Sequence, residues 1–339
     1  MTGAGRQGLG SSLPSLKVYL RNRKRFCAEF IIHHSSFNML LRLGTRASAL
    51  ARTQADWVAG QLRALGVDVE LAPISTSGDK SHGPIQDMGQ GVFTKEIQRA
   101  LLDHRIDLAV HSLKDLPTDA PAELIIAAVP KRAPCGDVLV SPAWKTLEQL
   151  PAGAVVGTSS IRRRAQLLAV RLDLQMKDIR GNIDTRLRKL HQGEYQALVL
   201  AEAGLARLGL AGEIAQSIPM SVVLPAAGQG ALALETRRED EATRAALAPL
   251  DHPPTHHAVL AERAMLAALH GGCLAPVAAW GRVENNRLML TGRVLSADGR
   301  RKIEVSEDSD LPDAIDLGRR VAEKLLQQGA AELIGLARG

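Results

Sequence analysis

Cysteine is nearly absent: Cys27, Cys135 and Cys273 are the only three in 339 residues. No two of them form a Cys-x-x-Cys pair, which excludes a zinc knuckle and a thioredoxin-type motif. An odd, sparse set also excludes a disulfide scaffold and fits a reducing cytoplasm. One of the three is left as a candidate for a chemically used thiol. Aromatics are scarce too, and four of the nine (Tyr19, Phe26, Phe30, Phe37) fall in residues 1–38. Proteins that bind single strands stack bases on aromatic platforms, and the body of this chain has few. No apolar run approaches the ~20 residues that cross a bilayer as a helix.

Hydrophobic residues make up 45% and charged residues 23%, as in ordinary globular proteins. The length allows two or three domains, each with its own core. The net charge of +6 suggests nucleic acid at first sight. Its distribution weakens that reading. Arg6, Lys17, Arg21, Arg23, Lys24 and Arg25 stand against one acid, Glu29, in residues 1–38. The rest holds 36 basic against 35 acidic residues. Residues 1–38 lack the apolar core of a secretory signal. They are set outside the fold as an extension, disordered or upstream of a misassigned start at Met39, with an organellar transit peptide as the other reading.

From Leu40 the pattern alternates. Strands are expected at Leu40–Leu43, Val67–Leu71, Ile106–His111 and Leu124–Val129. Helices are expected at Ser48–Leu65, with Leu50, Trp57, Val58, Leu62 and Leu65 on one face, and at Thr94–Arg105. A glycine-rich loop, Thr76–Gly91, lies between. After a crossover at Lys131–Asp137 the alternation restarts. Strands are expected at Ala154–Gly157, Leu174–Ile179 and Gln196–Ala201, with helices after each. Such alternation implies βαβ units and mostly parallel sheets. From His256 the character changes to an Ala-rich helix ending at Gly271-Gly272. Three hairpin-ordered strands and one helix over Asp310–Leu333 follow, as in a small α+β domain. The domains are therefore read as 39–130 with 230–250 for lobe 1, 136–225 for lobe 2 and 253–339 for the C-terminal domain.

In such sheets ligands bind outside the carboxyl ends of the strands. The residues there are Arg46 and Ser48, then Ser112, Lys114 and Asp115, then Thr158, Ser159, Ser160, Arg162 and Arg163, then Arg180, Asn182 and Arg186. Guanidinium groups bind carboxylates in bidentate fashion, and helix N-termini add positive potential. So many cations call for a polyanionic ligand. Asp115 is the one acid among them. It suits either a structural ion pair or the steadying of a cation that develops in a bound substrate, and its strand-end position favours the second. Cys273 follows two glycines and suits either a buried small hydrophobe or a nucleophilic thiolate. No metal site is expected: His256 and His257 are adjacent and face different sides of a helix.

Six segments in order resemble the porphobilinogen deaminase family from about residue 40 to the C-terminus. They are Leu43–Ser48, Val110–Asp115, Gly157–Arg163, Arg180–Arg186, Leu224–Gly230 and Gly271–Cys273. The resemblance implies two doubly wound lobes like periplasmic binding proteins plus a small α+β domain. It implies a transferase that joins four porphobilinogen molecules head to tail, releasing ammonia, to give hydroxymethylbilane. It implies a dipyrromethane cofactor held by a thioether on Cys273, and Asp115 as the catalytic carboxylate facing an azafulvenium-like cation. Arg46, Arg162, Arg163, Arg180, Arg186 and Arg207 would bind acetate and propionate groups. Ser48, Lys114, Thr158, Ser159 and Ser160 would add hydrogen bonds, and Gln229 would act as a hinge or inter-lobe contact. It also implies a cytoplasmic monomer whose partner is a small molecule, with no nucleic acid and no membrane. One departure stands out: Gln90 occupies a loop position where the family commonly has Lys. The competing readings are a two-lobe anion-binding protein without catalysis and a nucleic-acid binder using Arg162–Arg164 and Arg186–Lys189.

Overall fold

β1 (Leu40–Thr45), α1 (Ala49–Ala64) and β2 (Asp68–Pro73) form the first βαβ unit, with β1 and β2 paired in parallel. Ser48 caps α1, its hydroxyl accepting from the Ala51 amide. The buried face of α1 is Gln54, Ala55, Val58, Ala59 and Leu62. This corrects the expected face, since Trp57 and Leu65 are 46% and 48% exposed. The alanines at 55 and 59 let the helix lie close to the sheet, and the larger residues sit on the flank. The computed structural model describes Met1 and residues 39–74, 94–270 and 275–337. The loop with Gln90 and the Gly271–Cys273 segment lie outside the described residues. Residues 40–339 form one unit separate from 1–39, and the fold described is that of the former.

α2 (Lys95–Leu102), β3 (Leu108–Ser112) and β4 (Leu124–Ala128) continue the first lobe. The second lobe holds β5 (Asp137–Val140), β6 (Val155–Gly157), α3 (Ile161–Leu168), β7 (Gln175–Lys177), α4 (Ile183–His191), β8 (Ala197–Ala201), α5 (Glu202–Arg207) and β9 (Ile214–Ser217). The chain then returns to the first lobe as β10 (Leu232–Arg237) and α6 (Glu241–Leu247). The two sheets have matching orders, β2-β1-β3-β10-β4 and β7-β6-β8-β5-β9. Four strands of each point one way, as the alternation predicts. The fifth is antiparallel: β10 in the first sheet and β5 in the second. Each reversed strand is the one that enters from the other lobe. β5, β9 and β10 are additions to the sequence reading, which assigned no strand there.

Two connections, 129–136 and 218–231, thus cross between lobes. They are bonded to each other, Ala133 N–H donating to Gly230 O at 3.1 Å. The C-terminal domain is an antiparallel meander of β11 (Val277–Glu284), β12 (Arg287–Leu295) and β13 (Lys302–Ser309), packed on α7 (Pro253–Ala268) and α8 (Ala314–Gln327). The single helix expected over 310–333 is two, because the chain turns at Gly329, φ +96°, before α9 (Ala330–Leu336). α7 and α8 approach closely at Gly318, where a Cβ would lie 2.4 Å from Ala261 O and 2.7 Å from Ala264 Cβ. Gly318→Ala therefore forces the helices apart. Urea unfolding is expected to show a loss of about 1–3 kcal/mol; an unchanged midpoint would contradict this packing.

Candidate active site

The carboxyl ends of β1 and β3 open on one cavity, lined by Arg46, Ser48, Gln54, Ser112 and Asp115 among others. Gln54 and the Ser112 hydroxyl are hydrogen-bonded at 2.9 Å, which fixes the cavity floor. Beyond Ser112 a single 3-10 turn, Leu113–Asp115, sets Lys114 and Asp115 at the sheet end. Asp115 is exposed and accepts no hydrogen bond among the described residues. On the second lobe Thr158–Ser160 follow β6 and Arg180 follows β7. Arg186 lies on α4 and donates from Nε to Gly181 O at 2.8 Å. Arg207 ends α5 and donates to Gly230 O at 2.8 Å.

The hydroxyls divide by role. Ser48 and Ser160 cap α1 and α3, accepting from the Ala51 and Arg163 amides. A hydroxyl that accepts keeps its own proton to donate. Thr158 Oγ1 likewise accepts from the Ser160 amide at 3.2 Å. Ser159 is different: it donates to Ile179 O at 2.6 Å and accepts from the Ile179 amide at 3.1 Å. Its hydroxyl bridges two strand ends within the lobe.

Arg162 and Arg163 turn inward. Arg162 Nη1 donates to Asp137 at 2.7 Å and also to Leu224 O. Arg163 Nε donates to Asp137 at 2.9 Å, and Nη1 to Val199 O at 3.1 Å. Asp137 is fully buried. Burial alone would raise its carboxyl, but the two guanidinium groups prevail and hold it at about 2. Gln229 closes the network, its amide donating to Cys135 O at 2.8 Å and to Asp137 at 3.0 Å. Asp137 opens β5 on the outgoing crossover, and Gln229 lies on the return. The pair of arginines read as ligand-binding thus tie the outgoing crossover to the return, through an acid that sequence reasoning missed. The signal was an acid at the head of an otherwise apolar strand, Asp137-Val138-Leu139-Val140.

One aspartate among two arginines leaves positive charge over. Burial lowers Lys114, and Arg163 and Arg162 nearby lower it further, against the opposing pull of Asp115 and Asp137. The Lys114 side chain nonetheless keeps accessible surface. Burial and then Arg163 bring Arg186 down to about 10, and burial brings Arg207 down to about 10. Both remain charged at neutral pH, and among the described residues no carboxylate lies close enough to either to offset its burial. An anionic ligand would supply what these groups lack.

Comparison with known proteins agrees with the geometry. The family model of the porphobilinogen deaminase dipyrromethane cofactor binding domain matches residues 41–245. The model of the porphobilinogen deaminase C-terminal domain matches residues 256–327. The chain belongs to the porphobilinogen deaminase family. It is 48% identical over 302 residues to the porphobilinogen deaminase of Brevibacillus brevis, covering 86% of this chain and 96% of that one. It is 49% identical over 304 residues to that of Desulforudis audaxviator, covering 87% and 97%. Among solved structures, a periplasmic substrate-binding protein of Coxiella burnetii aligns at a TM-score of 0.40 and 16% identity, over 62% of this chain and 91% of that one.

The family cofactor is a dipyrromethane, and the cleft fits it. Each pyrrole made from porphobilinogen carries two carboxylates, and the chain offers Arg186 and Arg207, whose burial no carboxylate among the described residues offsets, together with Lys114. Asp137 is the control on this account. Its folded pKa lies below the ordinary 3.8, so its stabilisation is present above pH ~4 and lost as pH falls through ~2. Asp137→Asn should destabilise the chain at pH 7 by about 3–5 kcal/mol, as loss of one partner of a buried pair does. The gap to wild type in urea midpoint should narrow as pH falls from 5 towards 3. A gap that is constant with pH would contradict the ion-pair assignment.

Proposed function

We propose that Asp115 is the catalytic carboxylate of the family reaction and that Cys273 anchors the cofactor. The chain is a hydroxymethylbilane synthase: it joins four porphobilinogen molecules head to tail, with one ammonia released at each step, in tetrapyrrole biosynthesis. In each condensation the C–N bond of the aminomethyl group breaks and its electron pair leaves with ammonia. The methylene left behind bonds to the free α-carbon of the preceding ring, which gives up its proton. The dipyrromethane, when bound, supplies the first such α-carbon and the tether.

The residues answer two electrostatic needs. A growing chain of acetate- and propionate-bearing rings is a polyanion. Arg46, Lys114, Arg180, Arg186 and Arg207 meet its carboxylates, with the hydroxyls of Ser48, Thr158 and Ser160 donating beside them. Arg162 and Arg163 add positive potential from behind while Asp137 and Gln229 fix their direction, and Ser159 holds the strand ends together. Loss of ammonia creates a cation within this basic cleft, which is unfavourable unless a carboxylate faces it. Asp115 is that carboxylate, and it accepts the pyrrole N–H. The single observation that carries the reading is an acid at the sheet end that accepts no hydrogen bond among the described residues, in a lobed chain whose buried Arg186 and Arg207 have no carboxylate among the described residues to offset their burial.

We assign 39–130 with 230–250 to lobe 1, 136–225 to lobe 2 and 253–339 to the C-terminal domain. The protein works as a cytoplasmic monomer on a small molecule, with neither nucleic acid nor membrane as partner. The near-neutral body argues against nucleic acid as the partner, and no helix among the described residues is long and apolar enough to cross a membrane. Asp115→Ala should keep the fold and its thermal midpoint and lower hydroxymethylbilane formation by about a hundredfold or more. Near-normal product formation by that variant would overturn the role.

A further inference from the structure

The turn that carries Lys114 and Asp115 is held from the C-terminal domain. Arg263 of α7 donates from Nη1 to Leu116 O at 2.8 Å and from Nη2 to Pro117 O at 2.7 Å. These are the first two carbonyls after Asp115. One helical turn earlier on α7, Val259 is buried in the same cluster as Leu113 and Leu116. Residues four apart share a helix face, so α7 grips both sides of the turn, one contact apolar and one polar. The turn is tied on its other flank by the Leu113 amide, which donates to Ala231 O at 3.0 Å on the return connection. No carboxylate is in ion-pair contact with Arg263 among the described residues. Burial lowers its pKa, with Glu235 opposing from a distance. A cation in that setting is costly to place there, and its two forked donors match two successive carbonyls in a way a single ammonium does not.

α7 ends at Ala268, five residues before Cys273. We infer that Arg263 is a positioning residue for the reaction: it fixes the Leu113–Asp115 turn to the helix that leads to the cofactor anchor, and so sets the catalytic carboxylate against the tethered chain. The inference rests on the assignment of Asp115 and Cys273 made above. It concerns a residue that touches neither substrate nor cofactor and acts through the backbone of residues 116 and 117.

The test uses the full-length holoenzyme with Arg263→Lys, Arg263→Gln and Asp115→Ala in parallel. Thermal midpoint and the mass of the attached cofactor report structure. Steady-state kcat and KM for porphobilinogen report positioning. Arg263→Gln should load the cofactor fully and keep KM within about twofold, with kcat lowered about ten- to a hundredfold, the scale of a small misplacement of a reacting group. Arg263→Lys should recover part of kcat. A kcat that falls only in step with cofactor content or thermal midpoint would reduce Arg263 to a structural role and overturn the inference. If Arg263→Gln does not fold, Arg263→Lys decides by the same readouts. An unchanged kcat for both Arg263 variants while Asp115→Ala is inactive would sink the inference alone. An active Asp115→Ala would sink the reading beneath it.

Discussion

A fully buried carboxylate set between two guanidinium groups is the constraint on which the rest of this structure depends. Asp137 holds Arg162 and Arg163 from one side and receives Gln229 from the other. An isolated charge in that place would be strongly unfavourable, and pairing with good hydrogen bonds is what makes it tolerable. The same group therefore does two things. It joins the outgoing and returning connections between the lobes, and it directs two arginines whose charge exceeds its own.

That excess shapes the cleft. Lys114, Arg186 and Arg207 add to it, and each has its pKa lowered by burial. A site of this kind is poised for anions and hostile to cations. The family reaction asks for both, since its substrates carry carboxylates and its chemistry makes a cation. On the proposed assignment, a single acid at the end of β3, which accepts no hydrogen bond among the described residues, meets the cation locally without cancelling the field that holds the chain. The C-terminal domain contributes through α7, whose Glu262 accepts from Arg132, Gly228 and Gly281 at 2.6–2.7 Å. The helix leading to the cysteine is thus joined to the same pair of connections.

Much of this was legible in the sequence. The alternation of strand and helix located β1, β3, β6 and β8, and with them the strand ends where Arg46, Asp115, Thr158 and their neighbours stand. What escaped was set by tertiary structure. β5 and β10 are short apolar runs whose pairing is antiparallel and comes from the opposite lobe, so no local period announces them. The partner of Arg162 and Arg163 lies about 25 residues away in sequence and meets them only when β5 enters the second sheet. The face of α1 was misjudged at Trp57 and Leu65 because size was weighed above position. Arg263 reads as an ordinary helical cation until its carbonyl partners, some 147 residues away, are seen.

The central claim is that the cationic cleft holds a polyanion covalently tethered at Cys273. The intact mass of the purified chain, followed by peptide mapping around Cys273, tests it most directly. The account predicts an added mass equal to a dipyrromethane, confined to the Cys273 peptide and giving colour with an acidic aldehyde reagent. An unmodified Cys273 in protein made where porphobilinogen is plentiful would contradict it.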